Sequence, residues 1–267
     1  MLCVARNFHA TSENAQFETG IMIQNFKFAV ASVSVFCLAL AWTANGQEQS
    51  DQQISKFYDP VVRDIEGWTI KVDPELLTRE NEARGQRMIK ALANHLQRVE
   101  FILPEEKVKE LKEISIWVEF DGIGKGLVYH PSSKWLEQNG MDPRMAKHVH
   151  VPKVDHLLDP NQWAKHPYAI MHELAHAYHD QVLGFNDEEI VAAFRQAKKA
   201  KIYESVLAHN HIKVKHYALT NHKEYFAEST ESYLGVNDFY PFVRAELKEH
   251  DPRMFALQEK IWGRIGR

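Results

Sequence analysis

The segment AIMHELAHAYHD, residues 169 to 180, sets three histidines and two acids among alanines and large apolar residues. His172 and His176 stand four apart, so on a helix they share one face, a turn from each other. That separation lets two imidazole nitrogens reach a single Zn²⁺ at roughly 2.0–2.1 Å each. Glu173 is rotated about 100° from His172 around the helix axis. It is turned off the ligand face, yet it can reach a water beside the ion and act as its base. Two solvated histidines on an exposed helix would be the bland reading. The flanks argue against it, because Ile170, Met171, Leu174, Ala175 and Ala177 make the helix apolar nearly all round and so buried. Buried imidazoles and a buried carboxylate need partners.

A catalytic zinc site takes three protein ligands and leaves one position open. The candidates for the third stand in HYALTNHKEYFAESTESYLG, residues 216 to 235. Asn221 can cap a helix over 222 to 234. On that helix Glu224, Glu228 and Glu231 fall at i, i+4 and i+7 and form a carboxylate stripe. Tyr225, Phe226, Tyr233 and Leu234 are available to pack it against a core. The segment is too apolar for a surface helix, so its acids are expected to face a site rather than solvent.

These two segments resemble the gluzincin metallopeptidases, and among them the group of the anthrax lethal factor catalytic domain. HELAHAYHD is similar to that clan's HExxHAxxD helix. YALTNHKEYFAE is similar to its second signature, in which a tyrosine precedes the zinc-binding glutamate by seven residues and an acid follows it by four. Tyr217, Glu224 and Glu228 hold those positions. The motifs span about residues 165 to 235, and no counterpart of the downstream catalytic histidine of thermolysin-like enzymes is present.

The resemblance implies an α+β, zincin-like, two-lobed metallopeptidase domain. A small mixed sheet and the active-site helix would form the N-terminal lobe, and the C-terminal lobe would be mostly helical. It further implies one Zn²⁺ ion bound by His172, His176 and Glu224, with Glu173 as general base and the Tyr217 phenol donating to the developing oxyanion. Glu228 would accept the free N–H of a liganding histidine and fix its tautomer. Asp180 would be structural or would sit beside the ligands. Glu231 is expected to be dispensable for the metal. The implied activity is that of a secreted zinc endopeptidase, hydrolysing peptide or protein substrates with zinc-activated water. Two other readings stand beside it: a non-catalytic binding module on the same scaffold, and a membrane-tethered protease whose N-terminal segment is not removed. Glu173 and Tyr217 speak for the enzyme, since a purely structural zinc site needs no base and is closed by four ligands, often cysteines.

Other histidines are read more plainly. His179 lies off the His172 and His176 face, as an exposed or packing residue. His216 and His222 flank the second motif, as surface residues or as contacts to substrate. His148 and His150 would border a substrate cleft if AKHVHVP, residues 146 to 152, were an edge strand pairing with a peptide backbone.

The elements that position these residues follow from periodicity and breakers. GWTIKVD, 67 to 73, alternates as a strand and stops at Pro74. A helix over about Thr78 to Val99, with Thr78 as cap, buries Met88, Ile89, Leu92, Leu96 and Val99. ISIWVEF, 114 to 120, is a second strand, ended by the glycines of DGIGKG. Helices are expected over 167 to 183, 187 to 206, 222 to 234, 241 to 249 and 253 to 262. Strands with one helix come first and helices after, which is the order of an α+β domain.

The N-terminus reads as a targeting segment. Residues 22 to 47 carry Lys27, an apolar run from Phe28 to Trp42 and a small-residue exit at Ala44-Asn45-Gly46. The run is about 15 residues, short of the roughly 20 that span a bilayer. Residues 1 to 46 are therefore assigned to a signal region whose true start is Met22, 47 to 56 to a flexible lead-in, and 57 to 267 to the metallopeptidase domain. Both cysteines, Cys3 and Cys37, fall in the removable part, so the exported chain would rely on its own core, which about 220 residues can supply. It is expected to be secreted or periplasmic, with no stable membrane association after cleavage. A net charge of −4 gives no reason to expect nucleic acid as a partner.

Overall fold

A computed structural model of the chain describes residues 56–265. The signal region, Met22, both cysteines and all but the last residue of the lead-in lie outside the described residues.

Two strands open the fold, β1 (Val61–Ile65) and β2 (Trp68–Val72), paired antiparallel with Ile65 opposite Trp68. Their two-residue turn, Glu66-Gly67, has positive φ at both positions, the backbone twist that tight hairpins need. The expected helix starts later than its periodicity suggested. Pro74–Leu77 forms a separate 3₁₀ turn, and the Thr78 hydroxyl donates to the Glu75 carbonyl at 3.0 Å. Thr78 therefore closes that turn, and α1 runs over Glu82–Ile102 with Asn81 at its cap position. Its buried stripe holds Met88, Leu92, Leu96 and Val99, four of the five residues expected. Gly85 on α1 lies against the Leu76 carbonyl, where a Cβ would come within 2.3 Å of the oxygen.

After α2 (Glu105–Lys112), strand β3 (Ile116–Val118) joins β2 in parallel. The next elements are β4 (Val128–Tyr129), α3 (Ser133–Gln138) and β5 (Val149–Val151). The sheet order is β1-β2-β3-β5-β4. This corrects one expectation. Residues 146 to 152 do not form an edge strand, because β5 is paired on both sides, parallel to β3 and antiparallel to β4. The edge belongs to the two-residue β4.

Two short helices, α4 (Val154–Leu158) and α5 (Pro160–Lys165), lead to α6 (Ala169–Tyr178). Instead of running on to 183, α6 passes into a π-helical turn over His179–Leu183. Helix α7 (Glu188–Ala200) ends at Lys201, whose φ of 57° breaks it short of 206. A small hairpin, β6 (Val206–Leu207) and β7 (Lys213–Val214), follows. Helix α8 (His222–Leu234) begins after Asn221, whose side chain accepts from the Lys223 and Glu224 amides as a cap. Helices α9 (Arg244–His250) and α10 (Pro252–Trp262) complete the chain. The fold class is α+β: a small mixed sheet in the first half and helices in the second. Among the described residues no helix is long and apolar enough to cross a membrane.

Helices α6 and α8 pack on each other, and α6 also touches β4 and β5. Both are buried on nearly every face. On α8 every residue from Glu224 to Leu234 is buried, its three glutamates included. Ionised carboxylates taken out of water cost several kcal/mol each unless charge or hydrogen bonds meet them. The question is what meets them.

Candidate metal centre

His172, His176 and Glu224 converge. His176 Nε2 lies 3.1 Å from His172 Nε2 and 3.2 Å from Glu224 Oε2, and His172 Nε2 lies 3.3 Å from the same oxygen. All three side chains are buried. Ligands bound at roughly 2.0–2.1 Å and tetrahedral angles sit about 3.3 Å apart, so the triangle has the spacing a zinc ion needs. Two nitrogen lone pairs and a carboxylate oxygen this close repel one another unless positive charge lies between them. In the metal-free protein a proton supplies part of it. Burial disfavours the charged form of His172, but hydrogen bonds with Glu224 and Glu231 prevail and push its pKa up to about 10. Burial likewise works to raise the Glu224 carboxyl. The His176 and His172 imidazoles outweigh it and hold Glu224 well below the usual carboxylate range.

The donor set, two imidazoles and one carboxylate, is that of a catalytic zinc with one position open. That side faces a cleft of about 140 Å³ lined by His172, His176, Glu224, Glu173, Tyr217 and His166, among others. Glu173, half-buried, is held from β4: its Oε2 accepts the Tyr129 N–H at 2.8 Å. Tyr217 sits in a 3₁₀ turn, Tyr217–Leu219, fixed by His216, whose Nδ1 accepts the Ala218 N–H at 3.1 Å. The structure thus brings together around one cleft the five residues singled out for metal binding and chemistry.

The supporting residues are arranged differently from expectation. Glu228 lies 3.9 Å from His172 Nδ1, beyond hydrogen-bond range. Glu231 takes that role, with Oε1 only 2.6 Å from His172 Nδ1. The reason is the offset of α8 along α6, which sets His172 Nδ1 against the residue two turns beyond Glu224, not one. Asp180 contacts neither liganding histidine by hydrogen bond. Its Oδ2 accepts from Tyr129 Oη at 2.6 Å and from Lys147 Nζ at 2.5 Å. It reaches the site indirectly by tethering Tyr129, whose backbone holds Glu173.

The remaining histidines are mostly interior. His150 is fully buried, its Nε2 2.8 Å from Glu119 Oε2 and its Nδ1 2.9 Å from His130 Nε2, and neither it nor His148 lines the cleft. His179 packs among Phe185, Phe226 and His222. His216 is buried against Tyr203 and Phe239 rather than on the surface. His222 is half-buried, with Nε2 at 2.6 Å from the Phe185 carbonyl.

Sequence reasoning missed His166, Glu231 and Tyr129. Glu231 stood in the carboxylate stripe and could have been weighed by its i+7 position. His166 precedes α6 across an irregular turn, and the Tyr129 contribution is a backbone N–H, so no spacing rule reaches either.

No protein-family model and no curated protein matches the chain. Among solved structures, the PRO-PRO endopeptidase PPEP-2 from Paenibacillus alvei is similar over 72% of this chain and 95% of that one, at 16% identity and a TM-score of 0.39.

Proposed function

We propose that the protein is a zinc-dependent endopeptidase of the lethal-factor-like gluzincin type, exported from the cell and acting on peptide or protein substrates. The observation that carries this reading is the buried triangle of His172, His176 and Glu224, with Glu173 and Tyr217 on the same cleft. A zinc ion bound there supplies Lewis-acid polarisation of a carbonyl and lowers the pKa of water.

The chain's own residues do the rest. Glu173 has one oxygen committed to the Tyr129 N–H, which fixes the carboxylate plane and leaves Oε1 to take a proton from a water in the cleft. The same group can return that proton to the leaving amine. Tyr217 lines the cleft from its 3₁₀ turn and donates its phenol to the oxyanion that forms on the substrate carbonyl. The apolar shell of α6 and α8 keeps bulk water from the ligands, which strengthens each electrostatic contact. Export rests on the sequence of residues 22 to 47, and N-terminal sequencing of the mature protein tests it.

Glu173→Gln tests the mechanism. A glutamine oxygen can still accept the Tyr129 N–H, so the geometry is kept while the base is removed. Peptide hydrolysis should fall by about 10²–10⁴-fold, with zinc content unchanged. Activity within threefold of the parent would remove Glu173 as base.

A further inference from the structure

Glu231 is wholly enclosed, and its two oxygens meet two imidazoles, one from the turn before α6 and one on α6. Oε1 lies 2.6 Å from His172 Nδ1, and Oε2 lies 2.6 Å from His166 Nε2. His166 is itself buried and borders the cleft, and Gln162 Nε2 stands 3.3 Å from its Nδ1. We infer that His166 and Glu231 form a positioning relay that sets the tautomer and orientation of His172 as a metal ligand. The inference rests on the zinc reading of the triangle.

A neutral imidazole has one N–H and one lone pair. With the Gln162 amide donating to His166 Nδ1, the His166 proton sits on Nε2, against Glu231 Oε2 at 2.6 Å. With Oε2 taken, the Glu231 carboxylate is fixed in plane and presents Oε1 to His172 Nδ1. Only a proton on Nδ1 satisfies that contact, so the Nε2 lone pair of His172 is left facing His176 and Glu224. Remove His166 and a buried oxygen of Glu231 loses its imidazole contact, and with it the restraint on the carboxylate plane.

A second cation between His166, His172 and Glu231 is the competing interpretation, since their donor atoms cluster. The distances decide against it. Both N···O spacings are 2.6 Å, direct contact between an imidazole nitrogen and a carboxylate oxygen. Two ligands of one zinc ion would stand about 3.3 Å apart.

The test is zinc affinity, measured by competition with a chromophoric chelator, with zinc stoichiometry by elemental analysis and folding by circular dichroism. Glu231→Gln should weaken zinc by about 10–100-fold, and His166→Ala by about tenfold. His166→Gln, which can still donate an amide N–H to Glu231, should recover part of that loss, and it keeps the test alive if Glu231→Gln does not fold. In the zinc-loaded parent, ¹⁵N spectra should place the His172 proton on Nδ1. A His166→Ala variant that binds zinc within twofold of the parent overturns the relay alone. So does a parent that holds two zinc ions where His166→Ala holds one. A parent whose zinc binding is no better than that of His176→Ala overturns the metal reading itself, and the relay with it.

Discussion

Replacing His95 with phenylalanine should change how the protein responds to acid. His95 is buried on α1, its ring stacked on Trp163 with centroids 4.3 Å apart and planes 28° apart. Burial, followed by the Arg98 charge and His166, pushes its pKa down to about 3, against a smaller opposing effect from its hydrogen bond to the Pro167 carbonyl. The folded protein therefore holds it neutral, while the unfolded chain protonates it below pH 6.5. The stability this represents is complete above pH 6.5 and is lost as pH falls towards 3. Between pH 7 and pH 5 the loss comes to about 2 kcal/mol. That figure barely depends on the folded pKa, provided it lies below about 4.

Phenylalanine keeps the stack on Trp163 and does not titrate. It gives up the bond to Pro167 O, which retains Arg98 Nη1 at 3.0 Å, for a cost of about 1 kcal/mol at pH 7. His130 and His179 are also pushed down to about 3 by burial, but they titrate alike in both proteins and cancel in the comparison. His172 has the opposite sign: raised to about 10, its contribution is full below pH 6.5 and is lost as pH climbs above it, and it too is common to both proteins and cancels. The assay is urea denaturation of parent and variant at pH 7, 6 and 5. The variant should start slightly weaker and, by pH 5, equal or exceed the parent. Two curves that stay parallel within about 0.5 kcal/mol would refute the assignment of His95 as a buried neutral group.

Glu224→Ala should abolish zinc binding at the triangle. Chelator should then lower the melting temperature of the parent, by the equivalent of about 4 kcal/mol if zinc was present at a thousandfold excess over its dissociation constant, and leave the variant's unchanged; an equal drop in both would place the stabilising ion elsewhere. Gly235→Ala would put a Cβ 2.0 Å from Tyr168 Cζ, beside the residue where α6 begins. Overpacking of that kind costs about 1–3 kcal/mol, and a calorimetric melt at parent stability would mean that Tyr168 moves aside freely.

Helical spacing alone determined the local chemistry of this protein. His172 and His176 must share a face wherever α6 lies, Asn221 must cap whatever helix follows it, and Glu224, Glu228 and Glu231 must line one stripe, because 3.6 residues per turn is a property of the backbone. Strand alternation with a proline stop and a glycine stop likewise located β2 and β3, and the α+β order of elements followed. Other features were decided only when distant segments met. Whether residues 146 to 152 sit at a sheet edge depends on β4, two residues long and too short to leave a pattern. Which stripe glutamate meets His172 depends on how far α8 is shifted along α6, a packing offset that no local rule encodes. His166 reaches Glu231 across 65 positions of sequence, and Glu173 is held by a main-chain N–H that every residue but proline possesses. Periodicity fixes what one element can present; the partner it finds is set by the burial of every other apolar face at the same time.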